Sequence, residues 1–359
     1  MVTIKEIAKH CNVSIATVSN IINGKPNASK ETKERVLQAI EELNYTPNYI
    51  AKNLKTRRTR TIGVVVEDIT VFCAPEIIDG ITKCCEEKGY HILLTNLRLY
   101  KKFGDSYYDN EKFFQMVRRE VKELIAKQVD GIVYVTAHER ALKCLPENLT
   151  VPASMAYGYT KSEHYPSVVV DDKKGAYEIV NYVISMGHKK IGVITGKERS
   201  IHTHDRLLGY QKALYDHSLF FNPDAIVEGG WTREGGYAAT DRLLEQKVTA
   251  VFCMNDIMAG GVYDRLEELG LTPGQDVSVV GFDNRELSNY YKPPLTTTAL
   301  PLYEIGYTAC ANVIEKVESE EKTKESEKSK TGQIIEIPES CKLLIRQSVK
   351  DIREVQEKL

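Results

Sequence analysis

No stretch of this 359-residue chain approaches the roughly 18 consecutive apolar residues that a membrane span requires, so a membrane-spanning helix is excluded. The start, MVTIKEIAKH, carries Lys5, Glu6 and Lys9 and has no apolar core. It is therefore no signal peptide, and a cytoplasmic protein without membrane partners is expected. Eight cysteines, at 11, 73, 84, 85, 144, 253, 310 and 341, include no C-x-x-C pair and have no histidine at zinc spacing. They predict small reduced core residues and no metal site. Neither a Walker-type phosphate loop nor G-x-G-x-x-G occurs, which removes the commonest nucleotide signals, and no cofactor is expected. What remains is a chain with 42% hydrophobic residues, long enough for two or three cores and neither disordered nor fibrous.

Charge is unevenly placed. Residues 1–60 hold 11 Lys and Arg against 5 Asp and Glu, net +6, whereas the rest holds 37 against 45, net −8. A basic end on an acidic body fits nucleic-acid binding. Within that end, Thr3 and Glu6 form a capping box that opens a helix near Ile4, with Ile4, Ile7, Ala8 and Cys11 on one face. Asn12 suits the left-handed residue that ends it, Asn12-Val13 makes the turn, and Ser14 caps a second helix. On that helix Val18, Ile21 and Ile22 share one face, leaving Ile15, Ala16, Ser19 and Asn20 pointing outward. Asn23-Gly24 stops it, and Ser29 caps a third helix whose stripe is Val36, Ala39, Ile40 and Leu43. Two short helices joined by a tight turn suit a DNA major groove. The alternative is a three-helix bundle with no DNA role, which the basic cluster Lys52, Lys55, Arg57, Arg58 and Arg60 disfavours.

From Thr61 the pattern changes to short apolar runs alternating with amphipathic segments: IGVVV, PEIIDGITKCCEEKG, YHILLT, a helix near 109–127, DGIVYV. It begins again after a break around 157–166 with SVVVDD, KGAYEIVNYVISMG, KKIGVIT, a helix near 203–217, AIVEGG, helices near 233–245 and 255–269 about TAVFCM, and DVSVVGF. Repeated βα units predict parallel sheets covered by helices on both faces, in two α/β parts of similar length. The run ESEEKTKESEKSK, 318–330, cannot bury a face and reads as a solvated loop or frayed helix end.

The segments IKEIAKHCNVSIATVSNIING and ELNYTPNYIAKNLKTRRTRTIGVV resemble the lactose repressor family of bacterial transcription regulators. The spacing of Val13-Ser14, Thr17-Val18-Ser19, Asn23, Tyr45-Pro47-Asn48 and Ala51-Leu54 is far more restrictive than a generic helix-turn-helix, and the match spans essentially the whole chain. The resemblance implies an all-α helix-turn-helix headpiece plus an α/β periplasmic-binding-protein-like body of two doubly wound parallel-sheet lobes. Its divisions would be a headpiece at 1–46, a hinge helix and linker at 47–60, and an effector-binding and dimerisation domain at 61–359. The N-lobe would take about 61–160 and 291–318, the C-lobe about 161–290 and 331–350, with crossings near 160, 290 and 320. KLLIRQSVK resembles the family's closing strand.

By the same resemblance Ile15, Ala16 and Asn20 occupy base-contacting positions. Ile15 and Ala16 can touch thymine methyls, while Asn20 can pair with both major-groove groups of an adenine. Ser14, Thr17 and Ser19 would hold phosphates. Asn48, Ala51, Leu54 and Lys55 would belong to a hinge helix too short to be stable alone, paired with its copy in the minor groove with Leu54 as an apolar wedge. A paired hinge implies a homodimer and a near-palindromic double-stranded operator.

In the body, HDRLLGY places Arg206, CMNDIMAGG places Asn255 and Asp256, and VVGFDN places Asp283 at strand ends facing an effector cleft. Trp231, the single tryptophan, falls where members of the family stack an aromatic on the ligand, or else is a core residue. Tyr157 stands where the lactose repressor has an acidic sugar contact. Where the family commonly shows Asn-Pro-Phe-Phe, this chain has Val71-Phe72-Cys73-Ala74, a more apolar pocket wall. A sugar is the favoured effector, with a nucleobase or another small metabolite as alternatives.

The function implied is a sequence-specific DNA-binding repressor controlled by a small ligand. A second reading keeps the fold but substitutes a protein partner, as in the catabolite control protein, which PLYEIG at 301–306 resembles. Ala311, standing where that relative has an arginine, argues against it. A third is an enzyme in the cleft. His204, Asp205, Arg206, Asp256 and Asp283 offer acid–base groups but no nucleophile, base and orienter set, so no catalytic residue and no enzyme is expected.

Overall fold

The computed structural model describes residues 2–22, 24–25, 28–45, 58–104, 106, 110–146, 149–160, 165–322, 334–336 and 341–353. The chain divides into two compact units, Met1–Thr59 and Arg60–Leu359. The first holds α1 (Ile4–His10), α2 (Ile15–Ile22) and α3 (Lys30–Glu42). Each start is capped as its local sequence dictates. The Thr3 amide donates to Glu6 Oε2 at 2.7 Å and the Glu6 amide returns to Thr3 Oγ1 at 3.4 Å. Ser14 Oγ accepts from the Thr17 amide at 3.0 Å, and Ser29 Oγ from that of Thr32 at 3.2 Å. Such caps contribute about 0.5–2 kcal/mol each. Asn12, at φ 49°, makes the left-handed turn. Ile7, Ala8, Cys11, Val18, Ile21, Val36 and Ala39 form the buried core, with Ile22, Ile40 and Leu43 packed against it.

The second unit opens with β1 (Thr61–Val66), α4 (Ala74–Lys88), β2 (His91–Asn96), α5 (Leu99–Phe103), α6 (Glu111–Ala126) and β3 (Gly131–Val135). Short β4 (Ala141–Leu142), β5 (Ala153–Ala156), β6 (Tyr159–Thr160) and β7 (Ser167–Val169) follow. Then come α7 (Asp172–Ser185), β8 (Ile191–Thr195), α8 (Ile201–Asp216), β9 (Ile226–Glu228), α9 (Arg233–Glu245), β10 (Ala250–Cys253), α10 (Asp256–Glu268) and β11 (Ser278–Val280). The unit finishes with β12 (Thr297–Ala299), α11 (Leu302–Lys322), β13 (Ile334–Glu336) and β14 (Lys342–Leu344).

Two parallel sheets result. The first runs β13-β7-β5-β3-β1-β2, the second β11-β10-β8-β9. Residues 62–66 of β1 and all of β3 are buried, as strands covered by helices on both faces must be. Chain crossings between the lobes use β12 and β14, which pair antiparallel with Thr298 opposite Leu343. KLLIRQSVK thus supplies a strand of the crossing rather than of either sheet.

Two lobe limits expected from the sequence are corrected by this topology. SVVVDD does not open the second lobe: Ser167–Val169 pairs parallel with β5, Met155 facing Ser167, and completes the first. The crossing therefore falls near 170, not near 160. Likewise Ile334–Glu336 pairs with β7, Ile334 facing Ser167, so the first sheet takes a strand from the 331–350 stretch expected in the second lobe. Strand propensity marks a strand, but which sheet receives it depends on long-range pairing. Of the run 318–330, read as a loop or a helix end, residues 318–322 are the end of α11, which continues through Lys322, and 323–330 lie outside the described residues.

Candidate DNA interface and ligand cleft

On α2 the apolar spacing turns Val18 and Ile21 inward, to 0% and 4% exposure. Ile15 is left 46% exposed, Ser14 and Ala16 are exposed, and Thr17, Ser19 and Asn20 are half-buried. Ser14 Oγ also lies 2.8 Å from Thr17 Oγ1, so these two hydroxyls are ordered together at the helix start. One helix end thus presents an apolar pair flanked by hydroxyls and an amide. Asn48, Ala51, Leu54 and Lys55, like Asn23, lie outside the described residues. Of the basic cluster, Arg60 belongs to the body: its guanidinium stands over Tyr90, 5.6 Å from the ring centre.

In the body the structure gathers a charged centre around Arg206, which is 1% exposed. Its position follows from close packing of α7 on α8. A Cβ on Gly209 would lie 2.2 Å from the Lys173 carbonyl, so only glycine lets the two helices approach this far. That approach brings Asp172, at the start of α7, against Arg206. Arg206 Nε donates to Asp172 Oδ1 at 2.6 Å, and Nη1 to Asp283 Oδ1 at 3.3 Å and to the Met254 carbonyl. The Phe282 ring centre lies 3.8 Å from the guanidinium carbon, and that of Trp231 5.8 Å away. Burial works against the guanidinium charge, but the carboxylates of Asp172 and Asp283 outweigh it and raise the Arg206 pKa. Burial pushes the Asp283 carboxyl up to about 6 even with Arg206 beside it.

The remaining expected residues divide into two groups. Asn255 caps α10, accepting from the Met258 amide at 2.8 Å, and its Nδ2 donates to the Trp231 carbonyl at 3.3 Å, so it anchors the backbone that carries the tryptophan. Trp231 lies on Gly196, where a Cβ would come within 1.9 Å of the indole. Tyr157, buried at φ 62°, sets its ring 5.5 Å from that of His202. Asp256 departs from expectation. It is fully buried, takes the Thr297 hydroxyl on Oδ1 and the Arg285 amide on Oδ2, each at 2.6 Å, and so braces the crossing strand instead of offering an oxygen to the cleft.

Residues that sequence reasoning passed over complete the centre. Asp172 Oδ2 is 2.5 Å from His202 Nδ1, one turn before Arg206 on α8. Burial pushes the Asp172 carboxyl up, but Arg206 and His202 outweigh it and the net direction is down. The i and i+4 spacing of His202 and Arg206 was visible in the sequence, but that both face Asp172, 30 residues and one helix away, was not. Glu67, buried directly after β1, takes two bonds from Arg140 at 2.6 and 2.9 Å, the Tyr134 hydroxyl and the Ala137 amide. A separate cavity of about 420 Å³ is lined by Phe72, Glu76, Asp283, Arg285 and Leu302 among others, and shares only Asp283 with the expected set. Arg285 stacks over Phe72 at 4.4 Å, so the apolar wall expected at 71–74 receives a guanidinium.

Comparison with known proteins fits this division of labour. Residues 3–48 match the profile of bacterial regulatory proteins of the lacI family, and 180–349 that of the periplasmic binding protein-like domain. The HTH-type transcriptional repressor PurR of Vibrio campbellii is 33% identical over 328 residues, covering 90% of this chain and 94% of its own. The lac repressor dimer bound to operator and the anti-inducer ONPF superposes with a TM-score of 0.74 at 25% identity, over 97% of this chain and 99% of the other. A LacI family transcriptional regulator from Enterococcus faecium with bound ribose follows at a TM-score of 0.60 and 27% identity, over 82% and 100%. The chain belongs to the lacI family of bacterial regulatory proteins and is a DNA-binding transcriptional repressor under small-ligand control, not an enzyme.

Proposed function

We propose that the protein is a cytoplasmic homodimer that reads a near-palindromic operator through the exposed end of α2 and senses a sugar between its lobes. Asn20 is the polar base contact, Ile15 and Ala16 touch thymine methyls, and Ser14, Thr17 and Ser19 hold phosphates. Asn48, Ala51, Leu54 and Lys55 form the hinge, with Leu54 as the wedge. The absence, among the described residues, of any helix long and apolar enough to cross a membrane is compatible with this location.

The observation that carries the effector reading is the buried Arg206, clasped by Asp172 and Asp283 with the Trp231 and Phe282 rings against it. Carboxylates, a guanidinium and an aromatic face together suit paired hydroxyls on a ring, and the ribose bound by the Enterococcus relative supports a sugar. Arg206, Trp231, Tyr157 and Asp283 line the site, and Asn255 holds the tryptophan. Control follows by linkage: the ligand shifts operator affinity by as much as its own affinity differs between the two lobe arrangements.

Thermal-shift screening of the full chain against pentoses, hexoses and nucleobases tests the ligand class, with each hit then added to an operator-binding titration. A sugar that raises the melting point and changes operator affinity is expected. Hits confined to nucleobases would overturn the sugar assignment, and a sugar that binds without changing operator affinity would overturn the control.

A further inference from the structure

We propose that Cys310 and the adjacent pair Cys84-Cys85 form a redox-modification site in the first lobe, where a hydroperoxide joins Cys310 to α4 through a disulfide. The Cys85 and Cys310 sulfurs lie 3.5 Å apart. The proposal does not rest on the sugar reading.

The packing of the two helices explains why the thiols meet. A Cβ on Gly80 would come within 2.0 Å of the Tyr303 carbonyl oxygen, and one on Gly306 within 1.9 Å of that of Ile77. The backbones of α4 and α11 therefore touch where the two glycines stand, an approach that a side chain at either position would block. One turn further along each helix come Cys84, with Cys85 beside it, and Cys310. A disulfide needs Cα atoms about 4.4–6.8 Å apart, a separation that suits helices in backbone contact. From 3.5 Å, the sulfurs must close by about 1.5 Å to reach the bond length of about 2.05 Å.

The three thiols are not equivalent. The Cys310 hydrogen bond, joined by the nearby Lys88, outweighs burial and lowers the Cys84 pKa, whereas Cys84, Cys85 and burial all push the Cys310 thiol far up. Cys84 is thus the thiol that attacks and Cys310 the one that keeps its proton until the second step. All three are at most 2% exposed, but Cys84 stands in the last turn of α4, where a helix end frays and admits an oxidant as small as hydrogen peroxide.

The chemistry balances with peroxide as the oxidant. The Cys84 sulfur attacks one peroxide oxygen, the O–O bond breaks, and the other oxygen leaves as water with the thiol proton, giving a sulfenic acid. The Cys310 sulfur then attacks Cys84, the S–O bond breaks, and a second water leaves with the Cys310 proton. Two thiols lose one electron each and one peroxide gains two. Cys85, in contact with Cys310, can exchange into the bond. The resulting staple ties α4, which follows the 71–74 wall of the cleft, to α11, which follows crossing strand β12.

Treatment of the reduced full chain with a small excess of hydrogen peroxide tests the site, with circular dichroism confirming that the chain stays folded. Free thiols should fall from eight to six, and peptide mapping should link residues 84–88 to Cys310. Dithiothreitol should restore all eight. Cys310→Ser, and Cys84→Ser with Cys85→Ser together, should each abolish the link. Cys341→Ser should leave it intact, although Cys341 is the one cysteine of the eight that is not fully buried. The map of the parent chain needs no variant to fold. No thiol loss from the folded chain, oxidation confined to Cys341, or sulfenic and sulfinic acids without the link would each overturn the site.

Discussion

Replacing Asp172 by Asn removes one negative charge and almost no volume, and so isolates what the buried centre contributes electrostatically. In the parent, Asp172 accepts two charge-assisted bonds, from Arg206 Nε at 2.6 Å and His202 Nδ1 at 2.5 Å. Such bonds contribute about 1.5–3 kcal/mol each and neutral ones about 1 kcal/mol, so the change should cost roughly 1–4 kcal/mol. Asp283 remains beside Arg206, at 3.3 Å, and prevents the full loss of about 3–5 kcal/mol that follows when a buried charge is stranded. We expect about 3 kcal/mol. At about 2–4 °C per kcal/mol for a domain of some 150–250 residues, the melting point should fall by about 6–12 °C. Lys83→Gln is the matched control. It breaks the Lys83–Glu87 pair, 3.5 Å apart with both side chains more than 40% exposed, and an exposed helix pair of this kind contributes only about 0.3–0.5 kcal/mol. Thermal unfolding followed by circular dichroism compares the two. A fall for Asp172→Asn no larger than that for Lys83→Gln would refute the claim that burial makes this centre strong.

Asn20→Ala should weaken operator binding by about 1–3 kcal/mol and relax one base position, measured by binding-site selection; an unchanged preference would sink the assignment. Gly196→Ala should overpack the Trp231 contact, costing about 1–3 kcal/mol, and shift the emission of the single tryptophan; an unmoved spectrum would contradict the contact. Asp283 has a folded-state pKa near 6, above its ordinary value near 3.8, so the folded chain holds the extra proton between those values. Stability should therefore fall as pH rises from about 4 to 6, by at most about 3 kcal/mol from this group, and Asp283→Asn should flatten that slope in pH-dependent urea melts.

The headpiece was legible because its signals are local. Thr3 with Glu6, Asn12, Ser14 and Ser29 each act within a few residues, and the caps observed are those the sequence predicts. The alternation of strands and helices in the body was legible for the same reason. The partners of Ser167–Val169 and Ile334–Glu336 were not, since β13 meets β7 across more than 160 residues. Asp256 shows the same limit within the site: a carboxylate beside Asn255 reads as a ligand group until Thr297, 41 residues on, is seen to occupy it. Asp172 carries no motif either, and only the fold makes it a neighbour of His202.

The outer strand of the first sheet has a consequence for the order in which the protein matures. A ribosome delivers residues 61–169 early, yet the strand that covers β7 is Ile334–Glu336, made more than 160 residues later. Until then the nascent first lobe carries an open parallel edge, the kind of backbone that pairs with whatever strand it meets. The second lobe's sheet, built from residues 191–280, is complete before that edge is closed. The lobe begun first is thus the lobe finished last.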